Sequence, residues 1–184
     1  MIVDKVKIAR NITYLLKNPR RPTMTTTTQE KYELTITADN LISTDTRFNI
    51  DNLNLGDNYE PIDAYYVTPD NKKIYRQRNK GEMRISNQTL PRLALQIFEE
   101  RINDLSDLEK KEFPVCPKQS LIRGIFPNKE AYRNYKKSME FLIYRRDGGP
   151  QFVIYSWNIF STLVFVQECL KRFGKPGDKF ILIY

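Results

Sequence analysis

The chain ends on Phe180-Ile181-Leu182-Ile183-Tyr184, an apolar run with no polar interruption. As a strand, such a run carries apolar side chains on both faces. It therefore needs a neighbour on either side and cover above and below, which places it in the middle of a sheet. Just before it, residues 157–173 bear apolar side chains on most faces (Ile159, Phe160, Leu163, Val164, Phe165, Val166, Leu170), the pattern of a largely buried helix. Gly174 fits the position beyond that helix, and Pro176 cannot continue it. Further back, the β-rich runs 141–144 and 152–155 flank Asp147-Gly148-Gly149-Pro150, a strong turn signal. The chain thus reads as α+β: a mixed or antiparallel sheet with two to three main helices and a C-terminal hairpin-helix-strand unit.

The remainder fits that class. Tyr32, Leu34 and Ile36 alternate with polar residues, as in a half-buried strand, and Phe48, Ile50, Leu53 and Leu55 follow among turn-forming Asn and Asp. Residues 64–67 and 73–76 flank Thr68-Pro69-Asp70-Asn71 and predict a hairpin. A helix is expected over 90–108, capped by Thr89, with Pro91 in its first turn and Leu93, Ile97, Phe98, Ile102 and Leu105 as its apolar stripe. Asn128 is placed to cap a shorter helix over 129–138. At the other end, residues 1–27 read as a basic arm or short helix, broken at Asn18-Pro19 and joined by the linker Thr25–Thr28. Residues 28–184 then form a single α+β domain, an ordinary size for one core.

What the chain lacks narrows its chemistry. It contains no histidine, which removes Ser/His and Cys/His nucleophile pairs, histidine bases and histidine-ligated metals. This lowers the expectation of an enzyme, and neither a catalytic residue nor a metal site is assigned. The two cysteines, Cys116 and Cys169, form no C-x-x-C and read as thiols of a reducing compartment. Neither G-x-G-x-x-G nor a P-loop is present, and no cofactor is expected. No window approaches the roughly 18 apolar residues of a membrane span. Asp4, Lys5 and Lys7 interrupt any signal-peptide core, so the expected location is intracellular, cytoplasmic or nuclear.

The formal net charge of +8 is distributed in blocks. Residues 28–63 hold eight acids against Lys31 and Arg47, and basic blocks follow. The first centres on Lys72, Lys73, Tyr75, Arg76, Arg78, Lys80 and Arg84; in an alternating strand Lys72, Arg76 and Arg78 share one face, suited to phosphate contacts from a ribbon. The second interleaves Arg123, Lys129, Arg133, Lys136, Lys137, Arg145 and Arg146 with Tyr132, Tyr135 and Tyr144, cations beside stacking surfaces. Each block also has a structural reading: the ribbon as a charged edge that resists aggregation, the second as a wet helix face over packed tyrosines.

The run Ala64-Tyr65-Tyr66-Val67-Thr68-Pro69-Asp70-Asn71-Lys72-Lys73-Ile74 resembles the central hairpin of methyl-CpG-binding domains, which goes Tyr-Tyr, Ser/Thr-Pro, Lys-Lys. That family's arginine-bearing loop before the first strand has no counterpart in the acidic, Asn-rich segment here, so no family is assigned. Pro69-Asp70 with Glu82-Met83-Arg84 is similar to a metal-nuclease arrangement, but ends on Arg in place of Lys. The function expected from these residues is non-enzymatic binding of nucleic acid, DNA or RNA, through the basic and aromatic surface. The alternative is a structural or assembly protein, such as a viral matrix or nucleocapsid-like subunit, whose basic face meets an acidic protein partner, a membrane surface or another copy in a homo-oligomer. A histidine-free nuclease or toxin ranks third.

Overall fold

The C-terminal run forms the central strand, as its composition requires. A computed structural model describes residues 31–49, 61–78, 88–116, 122–137, 139–157 and 161–184. They belong to one unit, Lys31–Tyr184. The arm over 1–27 and residues Ile50, Leu53, Leu55, Lys80, Glu82 and Arg84 lie outside the described residues.

The main sheet is built from β1 (Glu33–Ile36), β2 (Leu41–Ser43), β3 (Asp63–Val67), β4 (Lys73–Tyr75) and the C-terminal β7 (Lys179–Ile183), in the order β2-β1-β7-β3-β4. All the pairings are antiparallel. β7 lies between β1 and β3, with Phe180 opposite Ile36 on one side and Tyr66 on the other. The predicted hairpin is β3–β4, and Asn71 in its turn takes the left-handed conformation at φ 61°, which Asn tolerates better than most residues. β5 (Phe141–Arg145) and β6 (Gln151–Tyr155) form a separate two-stranded sheet. The hairpin, helix and strand of the C-terminal region are thus all present, but the strand pairs with the N-terminal strands rather than with the hairpin.

Among the described residues the helices are α1 (Thr89–Ile97), α2 (Glu99–Asn103), α3 (Asp107–Glu112), α4 (Lys129–Tyr135) and α5 (Leu163–Phe173). The single helix expected over 90–108 is interrupted at Phe98, whose backbone turns to φ −110°, ψ 19°. The interruption seats the Phe98 ring among Tyr66, Phe173 and Phe180, at centroid distances of 6.0, 5.8 and 6.2 Å. Thr89 is the first helical residue rather than the cap; Gln88 precedes it without a capping hydrogen bond. α3 opens on a reciprocal capping box between Ser106 and Glu109. Asn128 caps α4 through the Ala131 N–H at 2.8 Å, as expected. α5 starts at Leu163 rather than near Trp157, and buries Leu163, Phe165, Val166, Cys169 and Leu170.

The alternation of the strands sorts the core. Leu34, Ile36, Ala64, Tyr66, Phe180 and Leu182 join the helix residues in one apolar cluster, so the helices cover that face. A second, small cluster of Phe126, Tyr132 and Val153 lies under α4. Cys116 and Cys169 are buried thiols, and burial pushes that of Cys169 well above its ordinary range.

Candidate nucleic-acid interface

β4 ends at Tyr75, and the chain then leaves the sheet along α1. The side chain of Gln96 holds it there: its Oε1 accepts from the Gln77 N–H at 2.7 Å, and its Nε2 donates to the Tyr75 carbonyl at 3.4 Å. Arg76 is half-buried beside this anchor, while Gln77 and Arg78 are exposed. Arg76 lies close enough to both Arg92 and Arg78 for each to act on it, and to Tyr144 of β5. Burial first, and then these two positive neighbours, depress the Arg76 guanidinium from 12.5 to about 10.

Arg92 comes from the first turns of α1. It donates from Nη1 to the Ile143 carbonyl at 2.7 Å and from Nη2 to Gln88 Oε1 at 2.9 Å, which ties α1 to β5. The Tyr144 hydroxyl donates to Glu99 Oε2 at 2.8 Å, and Arg146 pairs with Glu99 Oε1 at 3.3 Å. Glu99 is 4% exposed, so its carboxyl sits in the interior beside a phenol and a guanidinium. Gly149 allows this close approach, because a Cβ there would meet Glu99 Oε1 at 2.7 Å. The two basic blocks, far apart in sequence, therefore meet: Arg76 and Arg78 from the first, Tyr144 and Arg146 from the second, with Arg92 between them. An adjoining groove of about 490 Å³ is bordered by Gln96, Glu99, Arg101, Arg146, Lys175 and Asp178.

The face assignment within the ribbon differs from the simple alternation. Lys72 lies in the β3–β4 turn region before the strand, where its N–H donates to Thr68 Oγ1 at 3.1 Å. Ile74 and Arg76 turn toward the helix side, while Lys73 and Tyr75 are exposed on the other face. Asp70 of the nuclease-like motif is an exposed turn residue that accepts from Thr68 Oγ1 at 2.6 Å. Glu82 and Arg84 lie outside the described residues, and no group of three Cys, Asp or Glu side chains able to hold a metal ion occurs among those described.

The remainder of the second block is engaged with its own fold. Tyr132 is completely buried, donating from its hydroxyl to the Glu140 carbonyl at 3.0 Å. Lys136 lies 3.9 Å from the Tyr155 ring centroid and 3.8 Å from the Glu140 carboxylate. Arg123 pairs with Glu112 at 3.2 Å, and its N–H donates to the Tyr135 hydroxyl at 3.3 Å. Lys129 rests over Phe141, 5.4 Å from its centroid, and Arg133 reaches Met139 Sδ at 2.9 Å. Lys137 and Arg145 are exposed. Sequence reasoning missed Arg92 and Glu99. An arginine on an amphipathic helix reads as its wet face, and only the fold brings it against β5.

Two buried phenols and a half-buried one give the molecule an alkaline limit. Tyr66, Tyr144 and Tyr155 are all raised above their ordinary value of 10, each chiefly by burial, with Asp178, Glu99 and Glu140 adding to it in turn. Tyr155 is pushed up to about 12. A raised group contributes stability that is complete below its unfolded value and lost as pH climbs toward its folded value. Thermal midpoints are therefore expected to fall steeply above pH 10, in step with tyrosinate absorbance. Arg76, depressed to about 10, works in the opposite direction. Comparison with Tyr144→Phe isolates one phenol: its melting curve should flatten with pH above 10, though it starts lower because Glu99 loses a donor. An unchanged slope in that variant would contradict the assignment.

No family model, curated protein or solved structure matches the chain.

Proposed function

We propose that the protein is a non-enzymatic nucleic-acid-binding protein that holds backbone phosphates on Arg76, Arg78, Arg92 and Arg146. One observation carries the reading: guanidiniums from the segment after β4, from α1 and from the β5–β6 turn are drawn together around Tyr144, with Arg76 crowded by Arg92 and Arg78. Bringing like charges together in partly buried surroundings is unfavourable in the isolated chain. Successive backbone phosphates add counter-charge beyond that of Glu99, and guanidinium forks match phosphate oxygens two at a time. Lys72 and Arg145, exposed on the adjoining turn and strand, extend the positive surface for a longer polyanion.

The test is fluorescence anisotropy of the whole chain with labelled DNA and RNA, single-stranded and duplex, over a salt titration. Binding should weaken linearly on a log–log scale, by roughly 0.7 to 0.9 in slope per neutralised phosphate. At about 0.7 each, four engaged arginines predict a slope near −3 or steeper. No binding at low salt, or affinity indifferent to salt, would overturn the reading.

A further inference from the structure

The face of the main sheet turned away from the helices has its own order. Strand register sets its side chains in rows. One row runs Ile42, Thr35, Ile181, Tyr65, Tyr75 across β2, β1, β7, β3 and β4. The next row toward the β3–β4 turn runs Lys179, Val67, Lys73. On the opposite side lies a row of Glu33, Ile183 and Asp63. None of these side chains belongs to the apolar clusters formed with the helices, but Ile181 and Val67 are buried at 4% and 6% exposure, so the face is open chiefly at β4, where Lys73 and Tyr75 are exposed. The Tyr65 and Tyr75 rings are 5.4 Å apart, Lys73 Nζ stands 4.5 Å over the Tyr65 ring, and Tyr75 is 50% exposed. The face is thus polarised: cations at one end, neighbouring aromatic rings in the middle, carboxylates at the far end.

We propose that this face is a stacking platform for single-stranded nucleic acid, with bases on Tyr75 and Tyr65 and phosphates on Lys73 and Lys179. The proposal rests on the nucleic-acid reading above and names its substrate class. Adjacent rows are about 7 Å apart, two residues along a strand, which suits the reach from a stacked base to its own phosphate. An exposed phenol ring offers a flat surface to a base of any sequence, whereas a duplex hides its base faces. Lys73 now caps the Tyr65 ring; a bound strand exchanges that contact for a phosphate and opens the ring to a second base. Glu33 and Asp63 repel phosphates from the other end and so fix which side of the rings the backbone takes. Among the described residues β4 is the last strand of the sheet, so a strand passing over its edge reaches both this face and Arg76.

The test compares a single-stranded oligonucleotide with a duplex of equal length, using the wild type, Tyr75→Ala and Tyr75→Phe. Tyr75 is an exposed strand residue, and melting curves of each variant check the fold. The wild type should prefer the single strand. Tyr75→Ala should lose at least roughly fivefold in single-strand affinity with little change for the duplex, and Tyr75→Phe should recover it. If Tyr75→Ala and Tyr65→Ala both bind the single strand as the wild type does, the platform is wrong while the phosphate site stands. If the wild type binds neither form at low salt, the nucleic-acid reading fails and the platform fails with it.

Discussion

Arg76→Glu/Arg78→Glu should bind nucleic acid on the order of a hundredfold more weakly than the wild type near 0.1 M salt. Two phosphate contacts are lost, which alone reduces the salt slope by about 1.4 for a single strand. The two new carboxylates also stand where phosphates must approach, beside Arg92, and pair with it in their place. The fold should tolerate the change. Arg78 is exposed, and Arg76 follows the last residue of β4, on a segment that Gln96 holds through backbone groups alone. A melting curve close to that of the wild type, together with collapsed binding, assigns the loss to the site. The same reversal at Lys129 and Arg133, already over Phe141 and against Met139, should change affinity by less than about threefold. Equal losses at both places would mean that charge in general, and not this convergence, drives binding.

Phe180→Ala should have the largest effect on stability. Phe180 is completely buried in the central strand, with its ring 5.0 Å from Tyr66 and 6.2 Å from Phe98. Removing a buried phenyl ring costs about 3 to 5 kcal/mol from lost transfer energy and the cavity left behind. For a domain of this size that lowers the thermal midpoint by roughly 10 °C. Lys179→Ala, one residue earlier and on the opposite face, should stay within about 0.5 kcal/mol. Denaturant melts of the two variants measure the difference. Similar midpoints would contradict the placement of β7 at the centre of the core.

These two variants also mark what the sequence could and could not disclose. The apolar run around Phe180 announced a central strand, because no edge strand needs apolar side chains on both faces. Thr68-Pro69-Asp70-Asn71 announced its turn, because the tight conformation at Asn71 suits few residues. Which strands flank β7 was not legible. The pairings with β1 and β3 join residues more than a hundred positions apart, and no local pattern encodes them. The break at Phe98 was hidden as well, since the apolar stripe runs through it unbroken and only the aromatic cluster below gives that ring its place. Ser106-x-x-Glu109 did carry the capping-box signature of α3, but it lay across the end of the single helix read over 90–108.

The site divided in the same way. Arg76, Arg78 and Arg146 were visible as candidates because basic residues cluster along the chain. Their meeting was not visible, because it depends on Arg92 binding the Ile143 carbonyl and on Glu99 holding Tyr144 and Arg146. Tyr132 illustrates the converse: its place among cations suggested a stacking surface, yet its periodicity on α4 equally fits the core residue it is.

Phosphate binding by the four arginines can be read in an NMR titration that follows the arginine Nε–H resonances as a short oligonucleotide is added. Guanidiniums that receive phosphates shift and slow their exchange with water. Arg76, Arg78, Arg92 and Arg146 should respond together and saturate at one shared concentration. A titration in which binding saturates while those four resonances stay still, with the changes confined to Arg123 and Arg133, would contradict this.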